Sequence, residues 1–86
     1  LFPSSGEINF TVADPENCLE MVNNLFASRA TSIDELDGLS MCFENWRFNL
    51  RKSNTEPFVR LNVETRGDEV LLEEVIKKFE KILKKV

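Results

Sequence analysis

The sequence holds no histidine among its 86 residues. That removes Ser-His-Asp and Cys-His nucleophile pairs, histidine zinc ligands and an imidazole general base together. Only two cysteines occur, Cys18 and Cys42, 24 positions apart. They make neither a CxxC redox pair nor a zinc set, and they read as two reduced thiols in or near the core of a cytoplasmic protein. No apolar run approaches the roughly 18 residues of a membrane span, so a soluble chain with no membrane partner is expected. Leu1 rather than methionine opens the sequence, and no basic stretch leads into an apolar segment. The expectation is a chain without a visible signal peptide, cut from something longer. Internal repeats and low-complexity segments are also lacking.

What is present suits a small core. With 42% hydrophobic and 30% charged residues in 9.9 kDa, residues 1–86 are expected to form one domain. The net charge of −4 is unevenly spread: residues 1–45 hold Arg29 against eight acids, and residues 46–86 hold ten cations against seven. The overall sign disfavours nucleic acid and anionic membranes as partners, yet leaves room for a local positive site in the second half.

Ile8, Phe10 and Val12 alternate with polar residues, the pattern of a half-buried strand. Asp14 and Pro15 then suit the N-cap and first position of a helix running to about Arg29, with Cys18, Leu19, Val22, Leu25 and Phe26 on one face. A second strand is expected near Thr31–Leu36, where only Ile33 and Leu36 are apolar. The next two strands check each other. If Glu44-Asn45 is a two-residue loop, the cross-strand pairs are Phe43–Trp46, Met41–Phe48 and Leu39–Leu50, all on one apolar face. The opposite face then carries Ser40, Cys42, Arg47, Asn49 and Arg51. A fifth strand spans Phe58–Thr65, with Val59, Leu61 and Val63 inward and Arg60, Asn62 and Glu64 outward.

Gly67-Asp68 starts the last helix, whose apolar stripe is Leu72, Val75, Ile76, Phe79, Ile82, Leu83 and Val86. Its acids crowd the start, and Lys77, Lys78, Lys81, Lys84 and Lys85 crowd the end, as the helix dipole favours; the lysines read as a solvated face. The order gives an α+β fold, β-α-β(4)-α, with a mostly antiparallel sheet and two helices on one face. The other face stays open and polar.

The segment that carries chemistry is Arg51-Lys52-Ser53-Asn54-Thr55, followed by Glu56-Pro57 and Arg60. Two cations, two hydroxyls and a carboxamide in five residues suit a phosphate dianion, because a guanidinium binds two oxygens and the other groups add donors. Pro57 stiffens the loop's exit. On composition alone an ordinary polar hairpin loop accounts for the same residues. Asp34, Glu35 and Asp37 read as a solvated turn.

Arg51-Lys52-Ser53-Asn54-Thr55-Glu56-Pro57-Phe58-Val59-Arg60 resembles the R-x-S-N-T-E-P-x-x-R signature of the α-D-phosphohexomutases. The residues from Ser5 to Phe10, Val12 to Pro15, Asp37 to Met41 and Trp46 to Arg51 are also similar to that family's C-terminal, fourth domain. Asn54 is similar to its phosphomannomutase/phosphoglucomutase branch. The resemblance covers nearly the whole chain and implies a TATA-binding-protein-like fold, the same order read from periodicity.

It implies further that the chain belongs to an isomerase moving a phosphoryl group between C1 and C6 of a hexose by way of a phosphoserine in another domain. The fourth domain would grip the phosphate that is not reacting. The contacts carried over are Arg51, Ser53, Asn54 and Thr55, with Lys52 added; Arg60 either reaches the ligand or braces the loop through Glu56. The family's catalytic serine segment, its Asp-rich magnesium loop and its sugar-binding loop do not occur in these residues. The resemblance therefore places Mg2+ in another domain, and this chain, with no catalytic or metal residue of its own, is expected to be inactive alone. Its partners are the parent's other domains and a mannose or glucose phosphate. The alternative is a free-standing anion-binding or regulatory module without catalysis.

Overall fold

The computed structural model describes residues 4–84. Five strands, β1 (Ile8–Thr11), β2 (Ser32–Asp34), β3 (Leu39–Cys42), β4 (Trp46–Lys52) and β5 (Phe58–Thr65), form one sheet in the order β1-β5-β4-β3-β2. All four of these pairings are antiparallel. Helix α1 (Pro15–Phe26), extended by a 3₁₀ turn at Ala27–Arg29, follows β1; helix α2 (Glu69–Leu83) follows β5.

The ends of α1 follow local chemistry. Asp14 caps it by accepting from the Asn17 amide at 3.2 Å, and Pro15 occupies a first-turn position where its missing N–H is not needed. Twelve helical residues rise about 18 Å, close to the four strand spacings between the outer strands, and so carry the chain from one sheet edge to the other. Asp68 caps α2 through the Leu71 amide at 2.9 Å, and its own carbonyl accepts from the buried Thr65 hydroxyl at 2.8 Å. Strand end and helix start are thereby tied together.

The expected hairpin register holds: Leu39 faces Leu50 and Met41 faces Phe48, and the Phe43 amide donates to the Trp46 carbonyl at 2.8 Å to close the loop. Both helices cover one face. Cys18, Val22 and Phe26 from α1 and Val75, Phe79 and Leu83 from α2 meet the inward residues of β3, β4 and β5 in one buried cluster. Phe26 is its centre, with ring centroids 5.4–5.9 Å from Phe43, Trp46, Phe48 and Phe79. Removing such area from water contributes about 25 cal/mol per Å2, and this face therefore holds most of the stability.

Three expectations change. The second strand stops at Asp34, whose carboxylate accepts from the Leu36 amide at 2.8 Å and turns the chain. Leu36 is consequently 94% exposed at the turn. Leu25, assigned to the inner face of α1, is 45% exposed, because the stripe that meets the sheet is formed by the buried Cys18, Val22 and Phe26 with Leu19 beside them. Lys85 and Val86 lie outside the described residues.

Candidate functional site

The uncovered face of β4 and β5 has two ends of different character. At one end Arg47 lies opposite Glu64, and its guanidinium donates through Nε and Nη2 to Glu64 Oε2 at 3.2 and 2.9 Å. Four residues along, Arg51 lies directly opposite Arg60. Like charges in directly opposed positions are destabilising, so this end needs a compensating group.

Glu7, just before β1, supplies it. Its Oε1 lies 3.3 Å from Arg51 Nη2 and 3.8 Å from Arg60 Nη1. Asp37 Oδ2 lies 3.6 Å from the other terminal nitrogen of Arg51. The Arg60 guanidinium also rides 5.4 Å from the centroid of the Phe58 ring, a further hold on its position. The sequence suggests Glu56 as the partner of Arg60; the carboxylate that meets it is Glu7. The one sequence signal for Glu7 is its place at the entrance of a strand; its nearness to β5 is not legible there.

Gly38 explains how Asp37 comes so near. With φ at +75°, it takes a conformation that L side chains rarely adopt. A Cβ there would lie 2.6 Å from Arg51 Cγ and 2.7 Å from the Leu50 carbonyl oxygen. The turn is fastened by Asn49, whose Nδ2 donates to the Asp37 carbonyl at 2.9 Å and to Ser40 Oγ at 2.8 Å. Neither Gly38 nor Asn49 stands out in the sequence as part of the site, although a glycine before a strand is a recognisable turn signal.

The loop that joins β4 to β5 is built on Ser53. The Ser53 amide donates to the Phe58 carbonyl at 3.0 Å, and Ser53 Oγ accepts from the amides of Thr55 and Glu56 at 3.4 and 3.3 Å. These long bonds turn two backbone donors toward one point. Strand alternation sends Lys52 to the helix side, opposite in direction to Arg51: it lies across from the buried Val59, and its Nζ meets Glu16 Oε1 on the first turn of α1 at 2.6 Å. The expected residues Arg51, Lys52, Ser53, Asn54, Thr55 and Arg60 all line one concavity of about 560 Å3, which wraps around this end of the sheet. Leu19, Asp37 and Gly38 complete its wall.

Elsewhere the chemistry is quiet. Cys18 is buried and Cys42 half-buried, both as free thiols, and burial pushes the Cys18 thiol up to about 11. Among the described residues, no three His, Cys, Asp or Glu side chains gather as metal ligands would. No described helix is long and apolar enough to cross a membrane.

Residues 7–82 match the family of the phosphoglucomutase/phosphomannomutase C-terminal domain. A phosphomannomutase of Salmonella montevideo is 54% identical over 82 residues, covering 95% of this chain and 18% of that protein. Another, from Salmonella typhimurium, is 58% identical over 72 residues, 84% of this chain and 16% of that protein. A third, from Vibrio cholerae, is 43% identical over 86 residues, all of this chain and 19% of that protein. The chain thus spans less than a fifth of the length of these curated relatives. The facing arginines, the serine-centred loop and the sheet that presents them therefore belong to a member of the phosphoglucomutase/phosphomannomutase C-terminal domain family.

Proposed function

We propose that this domain holds the non-reacting phosphate of a hexose phosphate in a phosphomannomutase-type isomerase, which interconverts hexose 1-phosphate and hexose 6-phosphate. The observation that carries the reading is the placement of Arg51 and Arg60 side by side at one concavity with the hydroxyls and carboxamide of residues 53–55. A sheet gains nothing from two facing guanidiniums; a phosphate dianion gains both. Arg51 takes the phosphate in bidentate fashion, and Ser53, Asn54 and Thr55 surround its remaining oxygens. The Thr55 and Glu56 amides exchange their long bonds to Ser53 for a stronger acceptor. Arg60 adds charge from the neighbouring strand. Lys52 completes the set from the helix side of the concavity, on release from Glu16.

The phosphoryl chemistry is assigned to other parts of a longer enzyme, in keeping with the small share of the relatives that this chain covers. Mg2+, implied by the family resemblance, does not fit the acids beside this site: Glu7, Asp37 and Glu16 are each committed to a cation. We therefore place the metal in another domain. The sequence and site suit a cytoplasmic enzyme acting on mannose or glucose phosphate.

The test is a titration of this chain with mannose 6-phosphate, followed by backbone amide shifts. A dissociation constant in the millimolar range or weaker is expected, since one loop cannot replace a closed multidomain cleft, with shifts centred on residues 51–55. Shifts centred on Lys77, Lys78, Lys81 and Lys84, with none from Ser53 to Thr55, would overturn the assignment. No mutase turnover is expected from the 86 residues alone.

A further inference from the structure

Arg51 offers two terminal nitrogens, and both face carboxylates from distant parts of the chain: Nη2 faces Glu7 and Nη1 faces Asp37. The same Glu7 oxygen also faces Arg60. A single oxygen between two guanidiniums is the arrangement a bound phosphate oxygen would adopt. From this geometry we infer that Glu7 and Asp37 are tethered anions that a bound phosphate must displace, so that they hold down the affinity of the site for phosphate and ease its release. The inference rests on the phosphate-binding role proposed above.

The effect follows from charge. An anion that settles between Arg51 and Arg60 pushes the Glu7 and Asp37 carboxylates back into water and gives up their ion pairs. A dianion restores both interactions and adds hydrogen bonds from the loop. A carboxylate that stays nearby repels a dianion about twice as strongly as a monoanion, so the cost of the tethered acids falls most on phosphate itself. Glu7 and Asp37 are solvent-exposed enough for this exchange, with side chains 54% and 81% accessible. Exposed pairs of this kind are weak, which lets the exchange run without unfolding anything. The Arg47–Glu64 pair does not take part. It lies four residues away along the strand, about 13 Å at strand spacing, beyond the screening length of about 8 Å at physiological salt.

The experiment compares methyl phosphate, a dianion at pH 8 because its second pKa is about 6, with dimethyl phosphate, a monoanion. Both are titrated into the wild-type chain and into Glu7→Gln, Asp37→Ser, the double variant and Glu64→Gln, with amide shifts at 51–55 as the readout. Dispersed amide spectra certify that each variant folds; the complete polypeptide is used instead for any that does not. Glu7→Gln should bind methyl phosphate about three- to tenfold more tightly, and Asp37→Ser about two- to fivefold. The double variant should gain at least as much affinity for methyl phosphate as for dimethyl phosphate, so that the preference for the dianion does not narrow, while Glu64→Gln, with the same change in net charge as Glu7→Gln, should match wild type. Unchanged or weaker methyl phosphate binding in Glu7→Gln would overturn the inference, as would a preference for the dianion that narrows in the double variant. If wild type and variants alike show no shifts at 51–55 with any phosphate, the phosphate-binding role itself fails.

Discussion

The two ends of the open face differ in one residue pair, and the difference separates structure from function. Arg47 opposite Glu64 is self-sufficient: opposite charges meet across the strands at 2.9 Å and no third element is needed. Arg51 opposite Arg60 is the reverse, two like charges that require Glu7 from outside the strand pair and Asp37 from a turn. Folding alone favours the first arrangement. On the role proposed for this site, the second arrangement serves a ligand rather than the sheet, and Gly38 and Asn49 hold the turn beside it.

If stability and binding divide between the two faces of the sheet, a change on one face should leave the property of the other intact. Phe79→Ala, in the centre of the covered face and stacked 5.4 Å from Phe26, should cost about 3–5 kcal/mol of stability, read by denaturant unfolding. At temperatures where it remains folded, its phosphate shifts should be those of wild type. Gly38→Ala comes next, because it touches both properties. The strained backbone and the close Leu50 carbonyl should cost about 2–3 kcal/mol, and displacement of Arg51 should remove the shifts at 51–55. Retention of those shifts in a folded Gly38→Ala chain would mean that the turn does not position Arg51.

Arg51→Ala should divide cleanly in the other direction. Losing a charge-assisted phosphate contact of about 1.5–3 kcal/mol should lower kcat/KM of the complete enzyme roughly 10- to 150-fold, with the 1-phosphate and the 6-phosphate alike. Its melting temperature should hardly move, since its ion pairs are exposed. A loss in only one direction would rule out a single loop serving both substrate orientations. Arg47→Ala, at the self-sufficient end, should stay within about 1 kcal/mol of wild-type stability and keep full activity.

The smallest effect belongs to the thiols. Burial raises the Cys18 pKa from 9.0 to about 11, so its neutral form is favoured by folding. The folded state keeps that contribution below pH 9 and loses it as pH rises toward 11. At pH 8 an alkylating reagent should modify Cys42 on the open face and spare Cys18, as mass mapping would show. Equal labelling of both would mean that the covered face opens readily.

Several of these features are legible in the sequence alone. The alternation of Leu39, Met41, Phe48 and Leu50 dictates the hairpin register, because a slip by one residue would turn every apolar side chain to water. Asp14-Pro15 and Gly67-Asp68 mark the helix starts through local capping chemistry that needs no distant partner. The same parity is enough to place Lys52 on the helix side, since its neighbour Arg51 belongs to the open face. The limits of the second strand are not legible, because Ile33 and Leu36 form too short a pattern to outweigh the turn made by Asp34.

The order of elements, the two faces of the sheet and the chemical character of residues 51–55 are written in the amino-acid sequence, since each depends on periodicity or local bonding within a few residues. That Arg51 faces Arg60, that Glu7 lies between them, and that Asp37 and Gly38 wall the concavity all come from the folding of distant segments onto one another. Residues 7, 37, 51 and 60 come from four separate segments, and their meeting follows from strand order and pairing across the whole sheet. Those pairings are settled by burying the opposite face against both helices, so the charges on the open side are brought together by apolar contacts they never touch.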